Sequence, residues 1–447
     1  MEYAFYLQDD WRVAPWLTLN LGVRYEYFSP ISEAYNRISN FDFEKKKIVI
    51  AGQGGVSNTA GVKPDRNDIS PRLGFAATFA RKWVLRGGFA ISYNPPFMGS
   101  DQAFRNPPFS SLYTVTTSTP GYPINRLSDG LPVPVPGDPA NPSGSLSAVG
   151  MDNVTSHVKQ FNLTVQRELP WGLVGTASYV GVLGRDNALS VGRNEPAPGP
   201  GNYNQRRPFY SLYPNLAGVA WYTTIYDSSY HALQANLERR FSRGFGLLAN
   251  YTWSHALDNG EVRYYGSTPE LRLVKGNGAA DIRHRFTLTS NYRLAFQQNV
   301  LAKNWQLNVI MVLQSGIPQT VTNSVTTLNG GGPSRANIIG NPVLPRNQRT
   351  LQRWFNTSAF AAPPNYVYGD SIRGSFAGPG KVNFDVSLHR EFSLAERVRA
   401  QFRAEAFNIT NTPKFGSPGT ALGTSSFGVI SSAAEPRRIQ FALKLLF

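Results

Sequence analysis

The sequence predicts an all-β protein that crosses a membrane as an antiparallel barrel. Three observations carry this expectation. Segments of about ten residues alternate apolar and polar side chains, the period of a strand with one apolar and one polar face. Tight turns and long polar loops separate these segments in strict alternation, as in barrels with short periplasmic turns and long extracellular loops. The composition, with 41 Gly, 32 Pro and 13% aromatic residues, suits many strands and many turns. No apolar run approaches the length of a spanning helix; the most apolar piece, Asn308 to Leu313, is far too short.

The last ten residues show the pattern most cleanly. Ile439, Phe441, Leu443, Leu445 and Phe447 alternate with Arg438, Gln440, Ala442, Lys444 and Leu446. About ten residues rising ~3.3 Å each, tilted by roughly 40°, cover about 25 Å, the height of the apolar band of an outer-membrane barrel. Taken alone, the segment could also be an edge strand of a soluble sandwich, the lesser of the two readings. The terminal aromatic and unbroken alternation make Ile439, Phe441, Leu443, Leu445 and Phe447 the expected recognition strand for the barrel-assembly machinery.

From the N-terminus, a first strand around Tyr3 leads through Val13–Trp16 into Leu17, Leu19, Leu21, Val23, Tyr25 and Tyr27. A polar stretch from Ser29 to about Asp68 precedes Leu73, Phe75, Ala77 and Phe79, a turn at Ala80–Lys82, and Trp83, Leu85, Phe89, Ile91 and Tyr93. The Pro- and Gly-rich segment from Asn94 to about Thr155 resembles a linker by composition, but Phe97, Phe104, Phe109, Tyr113 and Tyr122 argue for an ordered external loop. A third hairpin turns at Leu169–Gly172, and a loop follows from Gly184 to about Ala217. The fourth hairpin turns at Ser242–Gly244 and ends near Trp253; a loop from His255 to Arg283 follows. Phe286 to Leu294 and Trp305 to Leu313 make the fifth hairpin, ahead of the longest external loop, Ser315 to about Gly380. The sixth runs from Phe384 through Ser393–Glu396 to Ala406, and a loop from Asn408 to Pro436 leads to the terminal strand. Six hairpins and one terminal strand predict about 13 strands. Trp16, Trp83, Trp171 and Trp305 each stand beside a short turn, where an aromatic girdle at one membrane interface would lie.

Phe5–Trp11, Asp281–Phe286, Gln314–Pro318, Phe402–Asn411 and the ending Arg438–Phe447 resemble the C-terminal barrel of Oar-like TonB-dependent receptors. The resemblance covers nearly the whole chain. It implies a wall of about 22 strands around a plugged lumen, located in the bacterial outer membrane. It implies energised uptake of a scarce siderophore, glycan or peptide, with a plug domain and the TonB energy-transducing complex as partners. No signal peptide, plug or TonB-contacting box precedes the first strand, so residues 1–447 are expected to be the C-terminal portion of such a barrel, about 13 of its strands. A structural or adhesive surface protein, or a passive pore, is the competing expectation.

No enzyme is expected. The five histidines, His157, His231, His255, His284 and His389, lack the spacing of a metal site. Asn329–Pro333 is glycine-rich without the Lys-Ser/Thr of a phosphate loop and reads as a flexible tip. The absence of cysteine removes disulfides and thiolate-bound metals, and no cofactor is expected. Formal charge is +16, from 44 Lys and Arg against 28 Asp and Glu. These cations are scattered, with no nucleic-acid-binding motif, so lipopolysaccharide phosphates and a basic lumen are their expected partners, not nucleic acid. With Ala400, Phe402, Ala404 and Ala406 facing lipid, the pleat turns Arg399, Gln401, Arg403 and Glu405 inward, and Arg24 and Glu26 form a similar inward pair.

Overall fold

Alternating residues of one polarity demand a sheet with two unlike faces, and the computed structural model builds one. It describes residues 2–80, 82–95, 100–110, 128, 130, 135–265, 270–294, 304–325 and 327–447. Phe97, Arg81, Tyr113, Tyr122 and most of the turn before Asn304 lie outside the described residues. The wall runs through thirteen strands: β1 (Glu2–Ala14), β2 (Leu17–Phe28), β3 (Ile69–Phe79), β4 (Trp83–Asn94), β5 (Ser156–Leu169), β6 (Leu173–Gly192), β7 (Leu216–Ser242), β8 (Phe245–Tyr265), β9 (His284–Arg293), β10 (Gln306–Gln314), β11 (Lys381–Ser393), β12 (Arg399–Phe407) and β13 (Arg438–Leu446). Each pairs antiparallel with the next. Strands β1 and β13 end the path and do not pair with each other among the described residues. No helix among those residues is long and apolar enough to cross a membrane.

Register sorts the two faces. One row of paired positions runs Leu17, Ala77, Leu85, Val165, Ala177, Ala235, Tyr251, Phe286, Leu313 and Val382, from β2 to β11. The neighbouring row, one residue along every strand, runs Thr18, Ala76, Arg86, Thr164, Ser178, Gln234, Thr252, Arg285 and Gln314. A slip by one residue at any pair would exchange these faces. Tight turns hold the register: Arg243 (φ 51°) and Gly244 (φ 81°) are both left-handed, matching the twist of the strands they join.

Three strands are far longer than the alternation predicts. Strand β6 continues to Gly192, β7 begins at Leu216, and β8 runs to Tyr265 and pairs with a further strand, Glu270–Asn277. The 27 residues of β7, at about 3.4 Å each, reach well beyond a bilayer, so much of what reads as loop is wall projecting into solvent. Periodicity misses this because protein covers both faces there: Val219, Thr223 and Thr224 are all buried. Among the described residues of the segment Asn94 to Thr155 there is one more strand, Gly144–Val149, which pairs parallel with the start of β7 and adds nothing to the path.

The hydrophobic cores lie in the loops. Phe41, Ile48, Leu146, Phe209 and Val219 form one cluster; Ile38, Ala60, Phe104 and Val149 a second; Val321, Phe355, Phe360 and Phe376 a third, with Phe427 against it. Burying each Phe contributes about 1.5–3 kcal/mol. Side-chain amides join the first two: Asn40 Nδ2 donates to the Val149 carbonyl at 2.9 Å and Asn40 Oδ1 accepts from its N–H at 2.9 Å. The Asn329–Pro333 tip, expected to be flexible, is docked. Asn329 Nδ2 donates to the carbonyls of Gly199 (2.9 Å) and Gly201 (2.8 Å), and a Cβ on Gly330 would stand 2.5 Å from the Pro198 nitrogen. These glycines permit close approach. The long loop 315–380 is also latched to β8 by Glu261, which pairs with Arg335 and with Arg263 (3.0 Å) while remaining buried.

Three outcomes follow. Leu443→Arg should cost about 2–4 kcal/mol if it lies at the bilayer midplane and ~1 near an interface, with Ala442→Arg on the opposite face milder; denaturant titration after refolding into lipid vesicles measures both. Glu261→Gln, by stranding Arg335, should loosen loop 315–380 by about 3–5 kcal/mol, seen as faster amide exchange there. The third concerns Asp68, fully buried where loop 29–68 enters β3. Burial, reinforced by Asp65 and Glu26, pushes its carboxyl up to about 6. The folded state therefore binds the proton more tightly than the unfolded one, and stability should fall as pH rises from about 4 to about 6. Asp68→Asn should flatten that window in loop amide exchange.

Candidate functional site

The polar face and the loop-covered mouth above it are where this architecture can meet a solute. Arg24 Nε lies 2.9 Å from Glu26, which also accepts from Ser70 Oγ at 3.4 Å. At the far end of the sheet, Glu391 accepts from Arg399 (3.3 Å) and Gln401 (3.1 Å). Arg403 lies 3.9 Å from Glu405, which accepts from Gln440 at 2.6 Å. The structure thus places the six residues singled out from sequence on one face, in two groups at opposite ends of the strand path. Each charged member has a partner of opposite charge there, and exposed pairs of this kind are worth about 0–1 kcal/mol. His389 stands opposite Arg403 on the same face, with Asn308 Nδ2 3.0 Å from its Nδ1.

Ile439, Phe441, Leu443 and Leu445 occupy the other side of β13 and, like Phe447 just beyond its end, are exposed, Phe447 to 92%. Phe441 stacks on Phe402 of β12 with ring centroids 6.3 Å apart. A strand whose apolar side is turned outward in this way is stabilised by lipid rather than by protein.

A polar recess at the mouth was not legible in sequence. A cavity of about 350 Å³ opens between the projecting ends of β6, β7 and β8 and loop 315–380, lined by Tyr226, Asp258, Asn277, Thr320 and Arg373. Arg373 pairs with the Asp258 carboxylate and donates to the Asp258 carbonyl at 3.0 Å. Asn277 Nδ2 donates to the Gly374 carbonyl at 3.0 Å, and the Gly374 N–H donates to Thr320 Oγ1 at 2.9 Å, so the backbone beside Arg373 is pinned. Asp258 and Arg373 stand 115 residues apart; only the folding of the long loop onto the wall joins them. The pair offers a carboxylate and a guanidinium fork within one recess, complementary to a polar solute with both donors and acceptors. Among the described residues no group of three His, Asp or Glu side chains could hold a metal ion.

Comparison with known proteins gives a family and a fold. The family model described as "Outer membrane beta barrel domain" matches residues 1–440. Among solved structures, the chain is similar to the outer membrane transporter YddB from Escherichia coli, with 12% identity, a TM-score of 0.52, and coverage of 100% of this chain and 45% of that one. It is similar to a mutant of the ferric enterobactin receptor from Pseudomonas aeruginosa, with 11% identity, a TM-score of 0.49, and coverage of 100% and 44%. It is also similar to the ferripyoverdine receptor of the Pseudomonas aeruginosa outer membrane, with 9% identity, a TM-score of 0.47, and coverage of 100% and 38%. The chain therefore spans less than half the length of each of these structures. No curated protein matches it in sequence. A family match through nearly the whole chain, together with a wall of one apolar and one polar face, shows an outer-membrane protein, and the chain belongs to the outer membrane beta barrel domain family.

Proposed function

We propose that this wall is the C-terminal portion of a receptor that takes up a scarce polar ligand, a siderophore, glycan or peptide, across the outer membrane with energy relayed from the inner membrane. The observation that carries the reading is the recess at Asp258 and Arg373. A passive pore gains nothing from an extracellular mouth roofed by a loop that is latched by a buried and a partly buried ion pair and packed on its own aromatic core. A receptor does: a recess with fixed donors and acceptors selects a solute before transport. The wall would belong to a larger closed barrel around a plug, because edge strands in hydrocarbon leave backbone groups unpaired at several kcal/mol each. The polar rows containing Arg24, Glu26, Arg399, Gln401, Arg403 and Glu405 would then face the lumen and brace that plug.

Uptake of labelled ferric siderophores, oligosaccharides and peptides by cells carrying the full-length receptor tests this, with and without a protonophore. One ligand class should accumulate only when the inner membrane is energised. Arg373→Ala should raise the ligand concentration for half-maximal uptake by about tenfold, equivalent to about 1.4 kcal/mol, at unchanged surface level. Uptake indifferent to the protonophore would overturn energised transport; an unchanged half-maximal concentration would remove Arg373 from the binding recess.

A further inference from the structure

Charge in the Asp258–Arg373 recess limits the class of solute it can take. Its lining holds one carboxylate and one guanidinium and no other charged side chain. The two are paired and partly buried, so the recess is neutral as it stands. An anion entering it would meet Asp258, and a cation would meet Arg373; like charges brought together away from water repel strongly. A ferric siderophore of net negative charge is therefore a poor occupant.

Hydrogen-bonding capacity remains after the protein's own bonds are counted. Arg373 Nη2 is committed to the Asp258 carboxylate and to the carbonyls of Asp258 (3.0 Å) and Gly276 (3.4 Å). Its Nη1 bonds no protein group among the described residues, and neither does Asn277 Oδ1, whose amide Nδ2 donates to the Gly374 carbonyl. Thr320 Oγ1 accepts the Gly374 N–H at 2.9 Å and keeps its own proton to donate. The Tyr226 hydroxyl stands beside the Asp258 carboxylate. Donors and acceptors are thus mixed within about 350 Å³, and a solute that satisfies them must itself donate and accept at neighbouring atoms. Vicinal hydroxyls do so without charge. The remaining lining is apolar, with Leu189, Ala279 and Pro318. A Cβ on Gly260 would come 2.9 Å from the Tyr226 ring, so glycine there lets the ring lie against the backbone. Aliphatic and aromatic surface beside a few placed polar groups suits the C–H faces of a sugar ring.

An extended peptide binds by pairing with a free strand edge, and the strands at the carboxylate offer none. Tyr226 pairs with Asn187, Ser228 with Asp258, and Asp258 in turn with Gly276. We propose that the recess binds the neutral end of an oligosaccharide, its vicinal hydroxyls bonded by Arg373, Asp258, Asn277 and Thr320 and one sugar ring set against Tyr226. The volume stands at the low end of the roughly 300–1,000 Å³ of small-molecule sites, which suits the end of a chain and leaves the rest outside. The assignment deepens the receptor reading and rests on it in taking this recess as the ligand site.

The test measures binding by the purified full-length protein in detergent, with retained ligand counted by native mass spectrometry. The probes are neutral malto-, xylo- and cello-oligosaccharides, oligogalacturonates as anionic counterparts, chitosan oligomers as cationic ones, a ferric catecholate siderophore and oligoalanine. Wild-type protein should retain at least one neutral series and none of the other probes. Asp258→Asn, which leaves the guanidinium without its carboxylate, should weaken the neutral ligand about tenfold and gain oligogalacturonate binding, an exchange of preference that a merely structural role would not produce. Heat-modifiability on gels checks that the variant folds. Amide exchange in the wild-type protein decides the matter if it does not: bound oligosaccharide should slow exchange in peptides covering residues 258–260 and 373–377. Retention of a charged probe or of oligoalanine in place of a neutral one, retention of none, an unchanged preference in the folded variant, or slowing only elsewhere would each overturn the proposal. Binding in detergent needs no energised membrane. Uptake indifferent to a protonophore would therefore remove transport and leave this assignment standing, whereas energised uptake of a charged ligand with no neutral oligosaccharide bound would remove this assignment and leave transport.

Discussion

Backbone hydrogen bonding in a medium without water is the constraint on which the rest of this structure depends. Hydrocarbon cannot satisfy an N–H or C=O group, so each wall strand must pair along its length with a neighbour. The thirteen-strand path does this through antiparallel ladders whose register is continuous from β1 to β13, apart from local bulges such as those at Thr224–Tyr226 and Tyr226–Ser228 in β7. Once pairing is fixed, the pleat decides everything about polarity. The rows through Leu85 and Phe286 face one way, and those through Arg86 and Arg285 face the other.

The chain obeys two solvents in turn. Within the wall, large apolar side chains such as Phe5, Leu7, Leu163 and Trp253 remain exposed, because lipid rather than protein is their partner. Beyond the wall, in water, the same chain builds ordinary cores. Phe41, Phe104 and Phe355 are almost wholly buried there, and buried asparagines satisfy strand edges that no neighbouring strand reaches. The bulges of β7 sit at this boundary, where the strand leaves a lipid-facing register and enters one covered on both sides.

Charge follows the same division. The excess of cations is spread over three environments: paired on the polar face, as with Arg24 and Arg399; held in latches, buried at Arg335 and partly buried at Arg373; and exposed on loop 315–380, as with Arg346. In the loops, burial alone makes a guanidinium harder to keep charged. Arg193 is drawn below its usual range by desolvation, and it lies over the rings of Phe43 and Trp221 at 4.9 and 4.8 Å. Its place there shows how the loop core accepts a cation by offering aromatic faces.

Alternation alone determined that the chain is all-β, where the tight turns fall, and which face of β12 and β13 carries Arg399 to Glu405 or Ile439 to Leu445. These are local properties: a side chain's face depends only on its position modulo two within its strand. The same argument found Arg24 and Glu26 together, since two residues along a strand share a face. Tertiary structure decided the rest. The extensions of β6 to β8 were invisible because a strand covered on both faces loses its alternation, and Asn329–Gly330 looked like a free tip because the surface it docks against lies far away in sequence. The recess at Asp258 and Arg373 and the Glu261 latch were invisible for the same reason: each joins residues 115 or 74 apart in sequence, and no local pattern encodes a contact that exists only after a long loop has closed onto the wall.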